Sequence, residues 1–221
     1  YGYKTCGVWN SAEEIAANPH FSDDAPGGIR IVDTNNDGSL TPEDRVALGT
    51  PYPDFTWGIT NTFQIKDFDI SFLIQGVQGI TVLNGDVYYN ETKKWNKKYT
   101  KNRWVSAEHP GDGKTPYQNV KTGHDLMLTD YPLQNASYAC LRNFTVGYTL
   151  PATAARKIKL SGVRFYVSGS NLLYIWGSGY KGINPESRMT SGNYSSAMIS
   201  GYQRGGFPLT STISAGFDIN F

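Results

Sequence analysis

Charge is scarce and evenly split in this 221-residue chain: only 18% of residues are charged, and Lys+Arg 20 against Asp+Glu 19 leaves a formal +1. No strong field is available to draw in nucleic acid or to hold the chain on an anionic membrane surface. Long apolar runs are missing too. No stretch approaches the ~20 residues a membrane helix needs, and mean hydropathy is −0.42. Cysteine is nearly absent: Cys6 and Cys140 are far apart in sequence, cannot build a disulfide framework, and are expected to be free thiols. The opening residues, Tyr1-Gly2-Tyr3-Lys4-Thr5-Cys6, lack a basic segment followed by an apolar one, so any export signal is expected upstream. His20, His109 and His124 have no partner at metal-ligand or catalytic spacing. No Ser/His/Asp set, Cys/His pair or close carboxylate pair stands out, so the chain is not expected to be an enzyme.

What is present is aromatic and turn-rich: aromatics are 14% of the chain, with 15 Tyr, 5 Trp and 24 Gly. The low mean hydropathy would class the chain as soluble, but that test is blind to membrane strands, in which polar and apolar residues alternate and average away. Alternation is clearest in residues 209–221. Leu209, Ser211, Ile213, Ala215, Phe217, Ile219 and Phe221 share one parity, and Thr210, Thr212, Ser214, Gly216, Asp218 and Asn220 share the other. Strands of ~9–11 residues cross a bilayer at a tilt, whereas strands of soluble proteins run nearer ~5–6.

The same pattern predicts strands over about 55–66, 68–79, 137–150 and 163–176. In the third, Tyr138, Cys140, Phe144, Val146 and Tyr148 are expected on one face, against Asn143, Thr145 and Gly147. The second half of the fourth loses its alternation and ends in Tyr174-Ile175-Trp176, as an interfacial aromatic girdle would. Connections alternate in length: a tight turn at Lys66-Asp67 and a modest linker at 151–162, against long segments 80–136 and 177–208. Short turns on one side and long loops on the other are the outer-membrane barrel arrangement. The expected fold is therefore all-β, the C-terminal strands of a large antiparallel transmembrane barrel, with residues 1–54 and both long segments as extracellular loops and the chain end periplasmic. Five strands cannot close, since bacterial barrels start at about eight and an open edge in lipid leaves backbone groups unpaired. Further strands must come from the same protein or from a second chain.

Residues 33–44 fit the spacing of a twelve-residue calcium loop. Asp33, Asn35 and Asp37 supply oxygens at positions 1, 3 and 5, Gly38 the sharp turn, Ser39 a backbone carbonyl, Thr41 position 9 and Asp44 position 12. The expected ion is Ca²⁺ or Mg²⁺. Asp replaces the usual terminal Glu, and the preceding 27–32 segment reads as extended instead of helical. The other reading is an Asn/Asp-rich turn that holds no ion. Within 80–136, basic residues interleave with Trp95, Tyr99 and Trp104. This is either a solvated helix packed by its aromatic face or a contact surface for substrate or a partner. Nucleic acid is not expected there, given the neutral net charge.

Several runs together carry a family resemblance. They are the 33–44 loop with Asp44-Arg45, Pro51-Tyr52-Pro53-Asp54-Phe55, Gln75-Gly76-Val77-Gln78-Gly79, Leu141 to Pro151, Val163-Arg164-Phe165-Tyr166, and Gly182-Ile183-Asn184-Pro185-Glu186. The chain resembles the C-terminal region of SusC-like (RagA-like) TonB-dependent transporters of the Bacteroidetes outer membrane, with Asn184 where Asp is usual. The resemblance implies a barrel of about 22 strands that imports oligosaccharides or peptides with a SusD-like surface lipoprotein. TonB would act through a plug outside this chain. It also implies that Phe217, Ile219 and Phe221 form an outer-membrane assembly signal. The reading from a different class is a secreted calcium-binding β-sandwich for carbohydrate binding or adhesion.

Overall fold

The computed structural model describes residues 1–87, 101–117, 126–187, 201–203 and 206–221. Two short strands, β1 (Thr5–Val8) and β2 (Ile29–Ile31), flank a one-turn helix, α1 (Ala12–Ala16). Ser11 caps that helix by accepting the Glu14 N–H. Two 11-residue strands follow, β3 (Phe55–Ile65) and β4 (Phe68–Gln78), then β5 (Thr81–Asn84), β6 (Leu133–Asn135), β7 (Tyr138–Thr149), helix α2 (Ala152–Lys157), β8 (Gly162–Trp176), β9 (Tyr202–Gln203) and β10 (Thr212–Asn220). The long strands form one antiparallel sheet in the order β10-β8-β7-β4-β3. No helix among the described residues is long and apolar enough to cross a membrane.

The register turns the one-dimensional alternation into a two-faced wall. Ile65, Phe68, Tyr148, Phe165 and Phe217 lie in one row across all five strands; the next row holds Phe63, Ile70, Val146, Val167 and Ala215. Then come Asn61, Phe72, Phe144, Gly169 and Ile213, followed by Ile59, Ile74, Leu141 and Leu173, and by Trp57, Gly76, Ala139 and Ile175. Successive rows are two residues, or about 6.8 Å, apart along a strand. Five rows therefore cover about 27 Å of strand, and about 20 Å of membrane normal at a tilt of ~40°. Side chains extend that to the ~25 Å apolar band of a membrane barrel. Aromatics line one rim of the belt, and Trp57 at the other lies flat over Gly76, where a Cβ would sit 2.2 Å from its ring. Nothing among the described residues covers this face: Ile59, Val167, Leu173, Ile213 and Phe217 are each half exposed or more.

One grouping read from the sequence is corrected. Tyr138 and Cys140 do not share a face with Phe144. The register shifts between Leu141 and Asn143, so Arg142 bulges out of the ladder and parity inverts beyond it. Ala139 and Leu141 continue the apolar face, while Tyr138 and Cys140 turn to the opposite side and are buried. Opposite the bulge, β8 absorbs Asn171 and Leu172, with Asn171 in the left-handed region at φ 55°. The same irregularity delays β10, which starts at Thr212 and not at Leu209: before it, Ser211 Oγ donates to Asn171 O (2.7 Å) instead of joining the ladder.

The described parts of the segments expected as extracellular loops carry short strands of their own and pack as a cap at the end away from the short turns. β1 and β2 pair antiparallel. β5 pairs antiparallel with β6 and parallel with β9. Tyr3, Val8, Ile29, Ile31 and Trp104 form one buried cluster, and Ile80, Val82, Ala136 and Tyr180 a second, nearer the wall. Asp130 pins the first strand, its Oδ1 accepting from Thr5 N (3.0 Å) and Thr5 Oγ1 (2.6 Å).

Candidate functional site

The polar face of the wall carries two charge networks, one toward each end. Near the short turns, Arg164 on β8 donates from Nη2 to Asp69 Oδ2 (2.7 Å) and from Nε to Asp69 Oδ1 (3.1 Å), and its Nη1 lies 3.4 Å from Asp218 on β10. Asp69 belongs to β4, two strands away. The residue between them is Gly147, where a Cβ would fall 2.3 Å from Asp69 Oδ1 and 2.5 Å from Arg164 Nη2. Glycine at that position lets a bidentate pair bridge three strands. A charge-assisted pair this exposed contributes about 1 kcal/mol.

Toward the cap, the bulged Arg142 gathers four elements. It donates to Gln75 Oε1 on β4 (3.1 Å), to Asn171 Oδ1 (2.9 Å) and Tyr174 OH (2.8 Å) on β8, and to the Glu186 carboxylate. Glu186 sits in the 182–187 segment above the wall, and its N–H is held by Asn184 Oδ1 (2.9 Å). Tyr138, Tyr174, Trp176 and Tyr180 pack in a tilted to edge-on chain beside this node, successive ring centroids 6.0–6.4 Å apart. Sequence periodicity assigns Arg142 no role, because a bulge leaves no mark in an alternation pattern. The available signal was a charged pair, Arg142 and Glu186, in two runs otherwise made of turn and strand residues.

The 33–44 loop folds on itself by hydrogen bonding. Gly38 N–H (φ +84°) donates to Asp33 Oδ2 (2.8 Å), Asp37 N–H to Asn35 Oδ1 (3.0 Å) and Ser39 N–H to Asp37 Oδ1 (2.8 Å). Asp44 is fully buried and accepts from Thr34 N–H at Oδ1 and from Thr41 N–H at Oδ2, both at 2.8 Å. With Thr41 it forms the capping box of a 3₁₀ turn, Pro42–Asp44. Burial by itself raises the Asp44 pKa, but the N–H bonds from Thr41, Thr34 and Asn35 outweigh it and hold the carboxyl below its usual range. Leu40 packs against the first cap cluster. Asp33 Oδ1 is buried without a hydrogen-bond partner, the state expected of an oxygen shaped for a cation. Among the described residues no three His, Cys, Asp or Glu side chains converge on one point. An ion here would therefore take much of its coordination from Asn35, the Ser39 carbonyl and water, an all-oxygen set suited to Ca²⁺ or Mg²⁺.

Of the expected aromatic contacts, Trp95 and Tyr99 lie outside the described residues. Trp104 is not on an open surface: it is buried in the first cap cluster, donates from Nε1 to Asn10 Oδ1 (3.2 Å) and packs edge-on against Tyr117. Of the two free cysteines, Cys6 is exposed on the cap and Cys140 is buried behind the bulge.

No family model matches the chain. Among characterised relatives, TonB-dependent receptor P26 of Formosa agariphila is 30% identical over 230 residues, covering 100% of this chain and 22% of that protein. TonB-dependent receptor SusC of Bacteroides thetaiotaomicron is 27% identical over 157 residues, 71% of this chain and 15% of that protein. The chain thus spans about a fifth of the length of the first of these. Among solved structures, the RagAB peptide transporter superposes with a TM-score of 0.70 at 19% identity, covering 100% of this chain and 22% of that one. The RagAB importer in its open-open state gives 0.66 at 18%. The relatives are named as receptors and not as enzymes, in keeping with the lack of a catalytic set in the sequence.

Proposed function

This chain belongs to the SusC-like TonB-dependent receptors, and from that premise we propose that it supplies five wall strands and part of the outer cap of an importer. That importer carries oligosaccharides or peptides across the bacterial outer membrane. The observation that carries this reading is the wall itself. One face is an apolar belt of membrane height left uncovered by the described residues, the other is polar and ion-paired, and among the described residues no strand pairs with the outer edge of β3 or β10. The apolar face meets lipid, the polar face lines the lumen, and the edges take strands from outside this chain. A plug and the TonB contact also lie outside it, and a SusD-like surface lipoprotein closes over the cap. Phe217, Ile219 and Phe221 expose apolar side chains of one parity, which supports their reading as an assembly signal. The β-sandwich alternative needs a second sheet over the apolar face, and none covers it among the described residues.

In this reading the cap is extracellular and the short turns are periplasmic. Cys6 tests the orientation with no substitution. On intact cells a membrane-impermeant maleimide is expected to label Cys6, while Cys140 reacts only after denaturation. Although Cys6 is exposed as a residue, its sulfur lies against the Arg30 and Ile31 carbonyls, and this partial desolvation pushes the thiol pKa up more than the Arg30 charge draws it down. With the pKa above its usual value, little thiolate is present at pH 7, so labelling should start slowly and accelerate steadily up to pH 9. Labelling only after lysis would reverse the orientation.

The 33–44 loop is assigned to Ca²⁺ or Mg²⁺, with Asp33, Asn35, Asp37, Ser39 and Asp44 as its residues and a structural role: it fixes the edge of the cap against which Leu40 packs. Asp37→Ala in the full transporter is expected to abolish calcium-dependent protection of residues 33–44 from hydrogen exchange. Equal protection of the native loop in calcium and in chelator would reduce it to an Asx turn.

A further inference from the structure

The short-turn end carries four cations that the importer reading leaves unused. Lys66 occupies the β3–β4 turn at φ 55°. Arg156 and Lys157 end α2, and Lys159, in the left-handed region at φ 61°, follows it. All four are exposed, and among the described residues none of their side chains forms an ion pair or hydrogen bond. Between the last three stands Ile158, 57% exposed. Helix α2 turns Ala155, fully buried, inward and has no acidic residue of its own. Asp67 is the one carboxylate in these two connections.

Their position follows from the register. The aromatic row Ile65, Phe68, Tyr148, Phe165 and Phe217 is the last full row of the apolar belt. Lys66 is the next residue after it. The 151–161 linker hangs from the same end of the sheet, through Leu150 N–H to Val163 O and Ser161 N–H to Asn220 O (both 2.8 Å). The belt thus ends in an aromatic rim, and the cations begin within a few ångströms of it, at the depth where lipid phosphates lie. Cations beside an exposed aliphatic side chain suit a surface whose phosphates are anionic and whose acyl region begins just beneath.

We propose that Lys66, Arg156, Lys157 and Lys159, with Ile158 among them, form a docking surface for anionic phospholipid headgroups of the periplasmic leaflet. This rests on the membrane placement and orientation proposed above. Each cation near an anionic lipid surface strengthens association about fivefold. Neutralising the three linker cations therefore removes a preference on the order of a hundredfold.

The test uses the full-length transporter in nanodiscs of phosphatidylethanolamine alone or with one-third phosphatidylglycerol. Phosphatidylglycerol retained on detergent extraction is counted by native mass spectrometry. Wild type should retain phosphatidylglycerol selectively and unfold at a higher temperature in the mixed discs. R156Q/K157Q/K159Q should lose most of both effects and match wild type in phosphatidylethanolamine alone. Lys114→Gln, a cap cation, serves as control and should behave as wild type. Equal retention by wild type and triple variant overturns the proposal, as does loss of a co-purifying protein with the lipid preference intact. Orientation is read separately: Thr153→Cys labelled on intact cells by an impermeant maleimide would defeat the placement itself, whatever the lipid counts.

Discussion

Arginine at Val167 is expected to destabilise the folded barrel by about 2–4 kcal/mol, whereas arginine at the adjacent Ser168 costs under about 0.5 kcal/mol. Val167 lies in the second row of the belt, one row from its middle, and is 52% exposed. In water such exposure would make a charge there harmless. In lipid the guanidinium must lose its hydration or drag water and headgroups inward, and that cost is greatest near the midplane. Ser168 pairs with Thr145 and Ser214 on the opposite, polar face, where an arginine stays hydrated. Both substitutions change the same strand by the same charge, so the difference between them isolates the face. The measurement is the urea midpoint of the full transporter folded in detergent or lipid, with heat-modifiable gel mobility reporting the folded fraction. Equal tolerance at both positions would mean that the apolar face is not against lipid.

The second large effect centres on the bulge. Arg142→Ala should cost about 3 kcal/mol and loosen the 182–187 segment, because it leaves the half-buried Glu186 carboxylate with no cation and strips Gln75 and Tyr174 of a donor. The double variant Arg142→Met/Glu186→Met should be less damaging than Arg142→Ala alone, since removing both charges leaves nothing uncompensated. Hydrogen exchange should rise at residues 182–187 in the single variant but not across β8. Strictly additive effects of the two single methionine variants would show that wall and cap are not coupled through this pair.

The long strands are legible because each keeps a period-2 alternation over enough of its length to define a face, even β7 and β8, which lose it at the bulge, and a half-exposed sheet enforces that period wherever one face meets an apolar medium. The bulge is not legible. Inserting Arg142 changes which face Tyr138 and Cys140 occupy without changing their composition, so apolar residues that seem to continue the belt instead face inward beneath the cap. The cap is hidden for a different reason. Its strands β5, β6 and β9 have four, three and two residues, too few to show a period, and their partners are remote in sequence. Trp104 illustrates the consequence: a tryptophan among lysines and tyrosines reads as a contact surface, while Tyr3 and Ile31, about 100 residues and 70 residues earlier, turn it into core. The 33–44 loop lies between these cases, since a fixed ligand spacing is visible in sequence whatever surrounds it.

The parallel pairing of β9 with β5, Leu83 against Tyr202 and Asn84 against Gln203, sets an order of events. The hairpins β3–β4 and β7–β8 close over short connections, so little chain entropy opposes them. The cap sheet cannot be completed until a strand from beyond β8 returns to one that precedes β6. The Thr5–Asp130 tie, spanning 125 residues, is a separate long closure with a comparable entropy cost. The two hairpins are therefore expected to form first and the β5–β9 edge of the cap last, so that the outer surface there takes its final shape after the strands beneath it.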